Sequence, residues 1–247
     1  MRLLLYNIRY GTGGGPAFNF PVPGVGGYLR GTVHQLAKIT AFVKSLNPDI
    51  VGLIEVDMGS VRAGRVNQAE AIAAATGLIP AFRSKYGEHS LNQYLPIVRK
   101  QGNAFLTREA DAILRFHYFD LGIKRLIIEL EMRELCLFLV HLSLKYRHRH
   151  RQMHELVSLV RGAHKPVIVA GDFNTLWGSE EIDMFAAAAG LYSVNVRNLP
   201  SWPSTHATRQ LDFILYNQRI MPRTFRMPQI ELSDHLPLLM DFEVASG

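Results

Sequence analysis

A chain of 247 residues with 48% hydrophobic and 19% charged residues carries enough apolar material for a full core, which excludes an intrinsically disordered chain. A formal charge of +6 and a pI near 9.5 favour anionic partners such as a phosphoester, a nucleic acid or an acidic lipid surface, and are equally compatible with a merely soluble basic protein. The single cysteine excludes an intrachain disulfide framework, and no apolar run reaches the roughly 18 residues that span a bilayer.

In chain order, Leu4-Leu5-Tyr6 reads as a buried strand ending at Asn7. Asn7 and Arg9 interrupt this run too early for a signal peptide, so the cytoplasm is the default location. A glycine-rich loop from Gly13 to Tyr28 follows, with no Gly-Lys-Ser/Thr to make it a phosphate-cradling P-loop. Its position directly after Asn7 places it over the site, where Phe18, Phe20 and Tyr28 stack on a base, contact a lipid or pack back on the domain. Thr32 stands where it caps a helix with Val33, Leu36, Ala37, Thr40 and Val43 on its apolar face, ended by Asn47-Pro48. Asp49 to Ile54 then reads as a buried strand delivering Glu55, and a second helix is expected from Val66 to Thr76, stopped by Gly77.

Between Ala81 and Val140 the strand-like runs Phe105-Leu106, Ile113-Leu114, Leu126-Ile127-Ile128 and Leu135 to Val140 lie close together, which reads as antiparallel hairpins. Cys136, inside the last run, reads as a small buried hydrophobe. A third helix is expected from about Arg147 to Arg161, with Met153, Leu156, Val157 and Val160 on one face and Gly162 at its end. Lys145, Arg147 and Arg149 oppose its macrodipole, a placement that suits an anionic substrate or a solvated face. The same arginines argue against zinc at His148, His150 and His154. Val167-Ile168-Val169 leads into Asp172, and Ser179 caps a fourth helix with Glu180 and Glu181 in its first turn and Gly190 closing it. Helices alternating with strands give an α/β domain, and the hairpins make its sheets mixed.

Polar signatures recur where apolar runs stop: Asn7, Glu55, His141, Asp172 with Asn174, Asp212, and Asp234-His235. A buried strand tolerates an ionisable residue at its rim far better than in its middle, so these endings converge on one site at one edge of the sheets. Phosphoester hydrolysis needs a cation on the phosphate oxygens, an activated water and donors that meet the growing charge. Carboxylates and amides are hard oxygen ligands, which suit Mg²⁺ or Mn²⁺ and not zinc, and Glu55 is the first choice of metal ligand. Asp172 and Asn174 share a side if their strand extends through both; an Asx turn after Gly171 is the other reading. Histidine as a residue type titrates near neutrality, which makes His235 the candidate general base or phosphate-binding imidazolium, and Asp212 is suited to orient it and hold its charge.

This ordered set, with Gly171-Asp172-Phe173-Asn174 and Ser233-Asp234-His235 as its most specific pair and Gly102 to Arg108 between, resembles the endonuclease/exonuclease/phosphatase superfamily. The resemblance runs from about Met1 to Phe242. It implies one domain over residues 1–247: a four-layer α/β sandwich, DNase I-like, with two mixed central sheets flanked by helices. It implies that Glu55 binds the cation, with Asn7 beside it on the metal shell or the phosphate. Asp172 then orients or deprotonates the attacking water, and Asn174 donates to the phosphate. Asp212 and His235 form a dyad in which His235 is general base or phosphate-binding imidazolium. His141 meets a non-bridging oxygen or helps the leaving group, and Asp234 binds a second metal or fixes its loop. Arg125 resembles a position that orders a sheet edge.

The expected activity is a Mg²⁺- or Mn²⁺-dependent phosphoesterase acting by direct water attack on a small-molecule, lipid-headgroup or nucleic-acid phosphoester. Ile54 stands where repair nucleases of the family carry glutamine, and Ile8-Arg9-Tyr10-Gly11 replaces their Asn-Gly pattern. These departures, and Glu55-Val56-Asp57 through Arg62, Asn67 and Gln68, favour the sphingomyelinase-like and general phosphohydrolase branches over a DNA or RNA nuclease. Loss of Glu55, Asp172 or His235 would indicate an inactive anion- or protein-binding module; all three are present.

Overall fold

Alternation along the strands decides the architecture, because successive side chains leave opposite faces. In β1 (Arg2–Asn7), Leu3 and Leu5 join one buried cluster while Leu4 and Tyr6 join another, so both faces are covered. The same double burial holds for β2 (Ile50–Asp57), β7 (Cys136–His141) and β8 (Val167–Asp172). The computed structural model describes residues 1–14, 32–84, 100–122, 124–176, 178 and 180–245. The expectations for Phe18, Phe20, Tyr28 and Ser179 lie outside the described residues.

Two six-stranded sheets stack face to face. The first runs β11 (Ile220–Arg226), β12 (Leu238–Val244), β1, β2, β4 (Gln101–Thr107), β3 (Ile79–Ser84). The second runs β5 (Ile113–Tyr118), β6 (Leu126–Glu131), β7, β8, β10 (Asp212–Tyr216), β9 (Tyr192–Ser193). Both are mixed: β1–β2 and β7–β8 are parallel, and the remaining pairs are antiparallel. Strands β5, β6 and β7 form the expected antiparallel series, whereas Phe105-Leu106 belong to β4 in the other sheet, between β2 and β3.

Helices α1 (Val33–Leu46) and α2 (Gln68–Thr76) cover the outer face of the first sheet through Leu36, Ile39, Val43 and Ile72. Helices α3 (Tyr146–Gly162) and α4 (Glu180–Ala189) cover the second through Met153, Leu156, Val160, Ile182 and Phe185. Each fully buried side chain of this kind contributes about 1.5–3 kcal/mol of transfer free energy. The result is helix, sheet, sheet, helix, as the resemblance implies. Among the described residues no helix is long and apolar enough to cross a membrane.

The helix ends depart from expectation for identifiable reasons. Thr32 makes no capping bond; its hydroxyl faces Gln68 Nε2 at 3.5 Å instead, and α1 turns Val33 outward, 54% exposed, with Ala37 also exposed. In α2 the side chain of Asn67 accepts from the Ala69 and Glu70 amides, a stronger cap than anything near Val66, so the helix starts at Gln68. Cys136 is buried as expected, and burial, aided by Glu129 and Glu131, pushes its thiol up to about 12.

Candidate active site

The site is the polar end of the core between the sheets. Leu3 and Leu5 lead to Asn7, Leu137 and Leu139 to His141, and Ile168 and Ala170 to Asp172, whereas antiparallel β10 starts at Asp212 and continues inward with Ile214. Each polar residue thus takes the inward position at the same edge of the sheets, the last of its strand in β1, β7 and β8 and the first in antiparallel β10, with apolar residues at the other inward positions. Register completes the row: Asp172 pairs with His141 on one side and Asp212 on the other. Gly171 makes that row possible, since a Cβ there would lie 2.1 Å from the Val140 carbonyl oxygen of the adjoining strand.

Glu55 reaches the row through a bulge. Val51 and Leu53 face the helices, and simple alternation would send Glu55 the same way. Instead the β2–β4 register slips between Leu53 and Val56, Glu55 adopts φ 56°, and Val56 takes the helix-facing place. Asn103 Oδ1 on β4 accepts from the Glu55 amide at 3.2 Å, so the bulged backbone keeps a partner. Glu55 Oε1 then lies 3.9 Å from His141 Nε2, although β2 and β7 belong to different sheets. The strand was expected to stop at Glu55; it continues to Asp57.

Hydrogen bonds fix the remaining groups. Asn7 Nδ2 donates to Asp172 Oδ2 at 3.2 Å, and Asn7 Oδ1 accepts from the Arg9 amide at 3.1 Å. His141 Nε2 lies 3.2 Å from Asp172 Oδ2 and also meets the Lys124 ammonium. His235 Nδ1 and Asp212 Oδ2 are 2.7 Å apart, and the Ser201 hydroxyl donates to the same oxygen at 2.7 Å. Asp234 faces Arg9 and Trp202 Nε1, each at 3.4 Å from its Oδ2, and its Oδ1 accepts from the Ser233 hydroxyl.

The electrostatics separate these groups. Burial opposes the charge on Asp172, but His141, His235 and Lys124 outweigh it and hold the carboxyl well below the usual carboxylate range. Burial, then Lys124, holds His141 below its ordinary value. Burial also opposes the His235 imidazolium, yet Asp212, with Asp234 and Asp172, raises it to about 10. Burial raises Asp212 as well, so the dyad keeps its shared proton above neutral pH. Ser201 on Asp212 Oδ2 favours that proton on the ring.

Asn174 is placed differently from the shared-strand expectation. Strand β8 ends at Asp172, Asn174 has φ 54°, and its amide donates to Asp172 Oδ1 at 3.0 Å, which is the Asx turn. Its Nδ2 donates to Leu142 O at 2.9 Å, tying Asp172 to the segment after His141. Arg149 leaves the list of substrate-facing cations: it is fully buried, donates to Glu181 at 2.9 and 2.6 Å and to the Ser143 and Leu144 carbonyls. Arg125 donates through Nε to Phe119 O, a structural bond. Asp57, Ser60 and Arg62 form a buried network under Tyr10, whose carbonyl accepts from Gln68 at 2.7 Å, so this stretch braces the backbone behind Asn7 and Glu55. Lys124, Ser201 and Asn103 were not singled out by the sequence as site residues; none closes a long apolar run.

The sequence pattern of the Endonuclease/Exonuclease/phosphatase family matches residues 4–235. The chain belongs to this family. A search of curated proteins finds no match. Solved structures that share the family fold include a mannosyl-6-phosphatase from Bacteroides thetaiotaomicron VPI-5482, with a TM-score of 0.71 at 14% identity over 98% of this chain and 99% of that one. The catalytic domain of human Nocturnin with bound sulfate has a TM-score of 0.69 at 20% identity over 99% and 93%. TDP2 from D. rerio with a single-strand DNA product has a TM-score of 0.67 at 13% identity over 99% and 99%. At these identities the likeness is one of fold. Members of the family are hydrolytic phosphoesterases, typically dependent on a divalent metal.

The donors suit such an ion. Glu55, with its side chain 18% exposed and near His141, offers hard oxygens, and Asn7 Oδ1, which accepts from the Arg9 amide while Nδ2 faces Asp172, is a second oxygen on the same sheet. Asp172, Asp212 and His235 also present ligand atoms within 4.8 Å of one another. There, however, Asp212 Oδ2 and His235 Nδ1 are committed to their mutual bond, which makes this pair a proton-holding dyad before it is a metal site.

Proposed function

We propose that the chain is a divalent-metal-dependent phosphoesterase, with Mg²⁺ the first choice and Mn²⁺ the second, that hydrolyses a phosphodiester or phosphomonoester by direct attack of water. The observation that carries this reading is the convergence of Asn7 and Glu55 from one sheet with His141, Asp172 and the Asp212–His235 dyad from the other. Bound at Glu55 and Asn7, the cation would neutralise phosphate charge and polarise the bonds to phosphorus.

Asp172, ionised and oriented by Asn7 and Asn174, accepts the proton of the attacking water. His235, kept protonated by Asp212, donates to a phosphate oxygen as negative charge builds there. His141 meets the phosphate on the opposite side, and Asn174 holds Asp172 in register with the segment following His141. Asp234 fixes its loop by holding Arg9 and Trp202 at the rim. The substrate is an anionic phosphoester, and the phosphatase and the DNA-product complex among the fold relatives support that class.

The test is a screen of a chromogenic bis-aryl phosphodiester, sugar phosphates, inositol phosphates, sphingomyelin and plasmid DNA, each with Mg²⁺ and with EDTA. Turnover that EDTA abolishes and Asp172→Asn removes is the expected result. No turnover above the Asp172→Asn background would leave the inactive anion-binding module.

One observation favours a nuclease as the second reading. Tyr146, 54% exposed, stacks on His150 with centroids 6.0 Å apart, and Arg147, Arg151 and His154 are exposed beside them along the start of α3. Helical spacing makes this a basic, aromatic strip five residues beyond His141, suited to phosphates and bases of a single strand. Arg147→Glu with Arg151→Glu should then damage cleavage of single-stranded DNA far more than that of the chromogenic diester, and flatten its salt dependence. Equal effects on both substrates would count against it.

A further inference from the structure

The connection between β5 and β6 is organised around one lysine. Its neck is closed by the Phe119 amide on Arg125 O at 2.8 Å and by the return bond from Arg125 Nε to Phe119 O. Fully buried Gln152 of α3 donates to the Leu121 and Lys124 carbonyls, both at 2.8 Å, and accepts from the Ser143 amide at 2.9 Å. Gly122 has φ 104°, and a Cβ on it would lie 2.4 Å from Ser143 Oγ and 2.7 Å from Gln152 Nε2. Gly122 is therefore pressed onto Ser143, in the segment that follows His141, with no room for a side chain.

This clamp brings the Lys124 ammonium against His141 Nε2, the atom that lies 3.2 Å from Asp172 Oδ2 and 3.9 Å from Glu55 Oε1. A lysine whose carbonyl is held by buried Gln152 and whose neighbour Arg125 is tied to Phe119 is not a solvated surface charge. An ammonium carries three donors; the one aimed at His141 Nε2 is accepted only while that nitrogen is unprotonated, as in the neutral ring, and two remain for a phosphate oxygen. A phosphate entering beside Asp172 and Glu55 meets two carboxylates, and Lys124 offsets that repulsion from within the chain.

Resting on the phosphoesterase reading, we propose that Lys124 is a substrate-binding residue that donates to a non-bridging oxygen of the scissile phosphate, and that Gln152 is its positioning residue. The site then carries a fixed cation of its own, on the His141 side, opposite the His235 imidazolium. No bond to Lys124 forms or breaks in the reaction; its contribution is charge and hydrogen bonding.

The test combines a ³¹P NMR titration of inorganic phosphate into the Mg²⁺-saturated protein with kcat and KM on bis(4-nitrophenyl) phosphate. Lys124→Gln should weaken phosphate binding about tenfold and lower kcat/KM by roughly 100-fold, the size expected for one lost donor to developing charge. Lys124→Arg should recover part of both. Gln152→Leu should reproduce part of the loss, and the double variant should be no worse than Lys124→Gln alone. Phosphate binding and kcat/KM within about twofold of the parent in Lys124→Gln would overturn the proposal. So would unchanged phosphate binding with tighter Mg²⁺ binding, which would make Lys124 a countercharge for Glu55 and Asp172, and so would a parent that binds no phosphate. A parent that binds phosphate through Lys124 yet hydrolyses no phosphoester would refute the proposed function and leave the binding assignment standing.

Discussion

Asp172 is a carboxylate held on both oxygens, Oδ2 by Asn7 and Oδ1 by the Asn174 amide, in reach of His141. Asp172→Asn removes the charge and keeps the shape, while His235→Ala removes a ring at the rim of the core. Each should lower turnover by at least about 100-fold with an unchanged circular dichroism spectrum, because each deletes a transition-state interaction. Activity within tenfold of the parent, roughly, would withdraw the role. Glu55→Gln should raise the Mg²⁺ concentration for half-maximal activity, since one lost carboxylate charge weakens a hard-cation site without resizing it; metal titrations of both proteins decide. His235 also makes a prediction about stability. Its folded value of about 10 lies above the unfolded value of about 6.5, so its contribution is complete below the lower value and is lost as pH rises toward the higher. Urea unfolding of the metal-free protein should show stability falling across that interval, and His235→Ala should remove this part of the slope. A slope identical in both proteins would show that Asp212 does not hold the proton on this ring.

At the scale of elements, the parts legible in the sequence are those in which apolar periodicity and polarity agree. β1, β7 and β8 each end an apolar run in a polar residue, and that pattern located Asn7, His141 and Asp172 together. Glu55 was legible as a candidate, but its bulge was not, because φ 56° at a glutamate leaves no mark in composition. Asn174 lost its strand to an Asx turn for a local reason: its own amide is within reach of Asp172 Oδ1. Arg149 shows the converse failure. A charge run reads as surface, yet the arginine one helical turn into α3 faces inward, where Glu181 of α4 neutralises it and two carbonyls cap its remaining donors. Arg149→Met therefore leaves Glu181 and two carbonyls without their donor. It should cost roughly 3–5 kcal/mol in urea unfolding, far more than Arg147→Met on the exposed side. Similar losses in the two variants would mean that the buried pair does not join α3 to α4.

For the whole molecule, the spacing of the two sheets is the dimension that matters, because Asn7 and Glu55 stand on one and His141, Asp172 and Asp212 on the other. Phe105 fills the space between the sheets, whereas Phe138 packs between the second sheet and its helices. Truncating either to alanine should cost about 3–5 kcal/mol, but only Phe105→Ala should lower kcat beyond what its stability loss explains. Thermal melts beside single-temperature kinetics measure both, and equal kcat values would separate catalysis from the inter-sheet core. Sheet order has a consequence for synthesis as well. The first sheet is left after β4, the chain then completes all six strands of the second sheet, and only afterwards does β12 return to lie between β11 and β1. A ribosome adding about 5–20 residues per second makes the central strands of the second sheet many seconds before the partner that β1 requires. A nascent chain can thus hold His141, Asp172 and Asp212 in a finished sheet while β1 and β2, which carry Asn7 and Glu55, still lack β12, so the two halves of the candidate site come together only once β12 has been made.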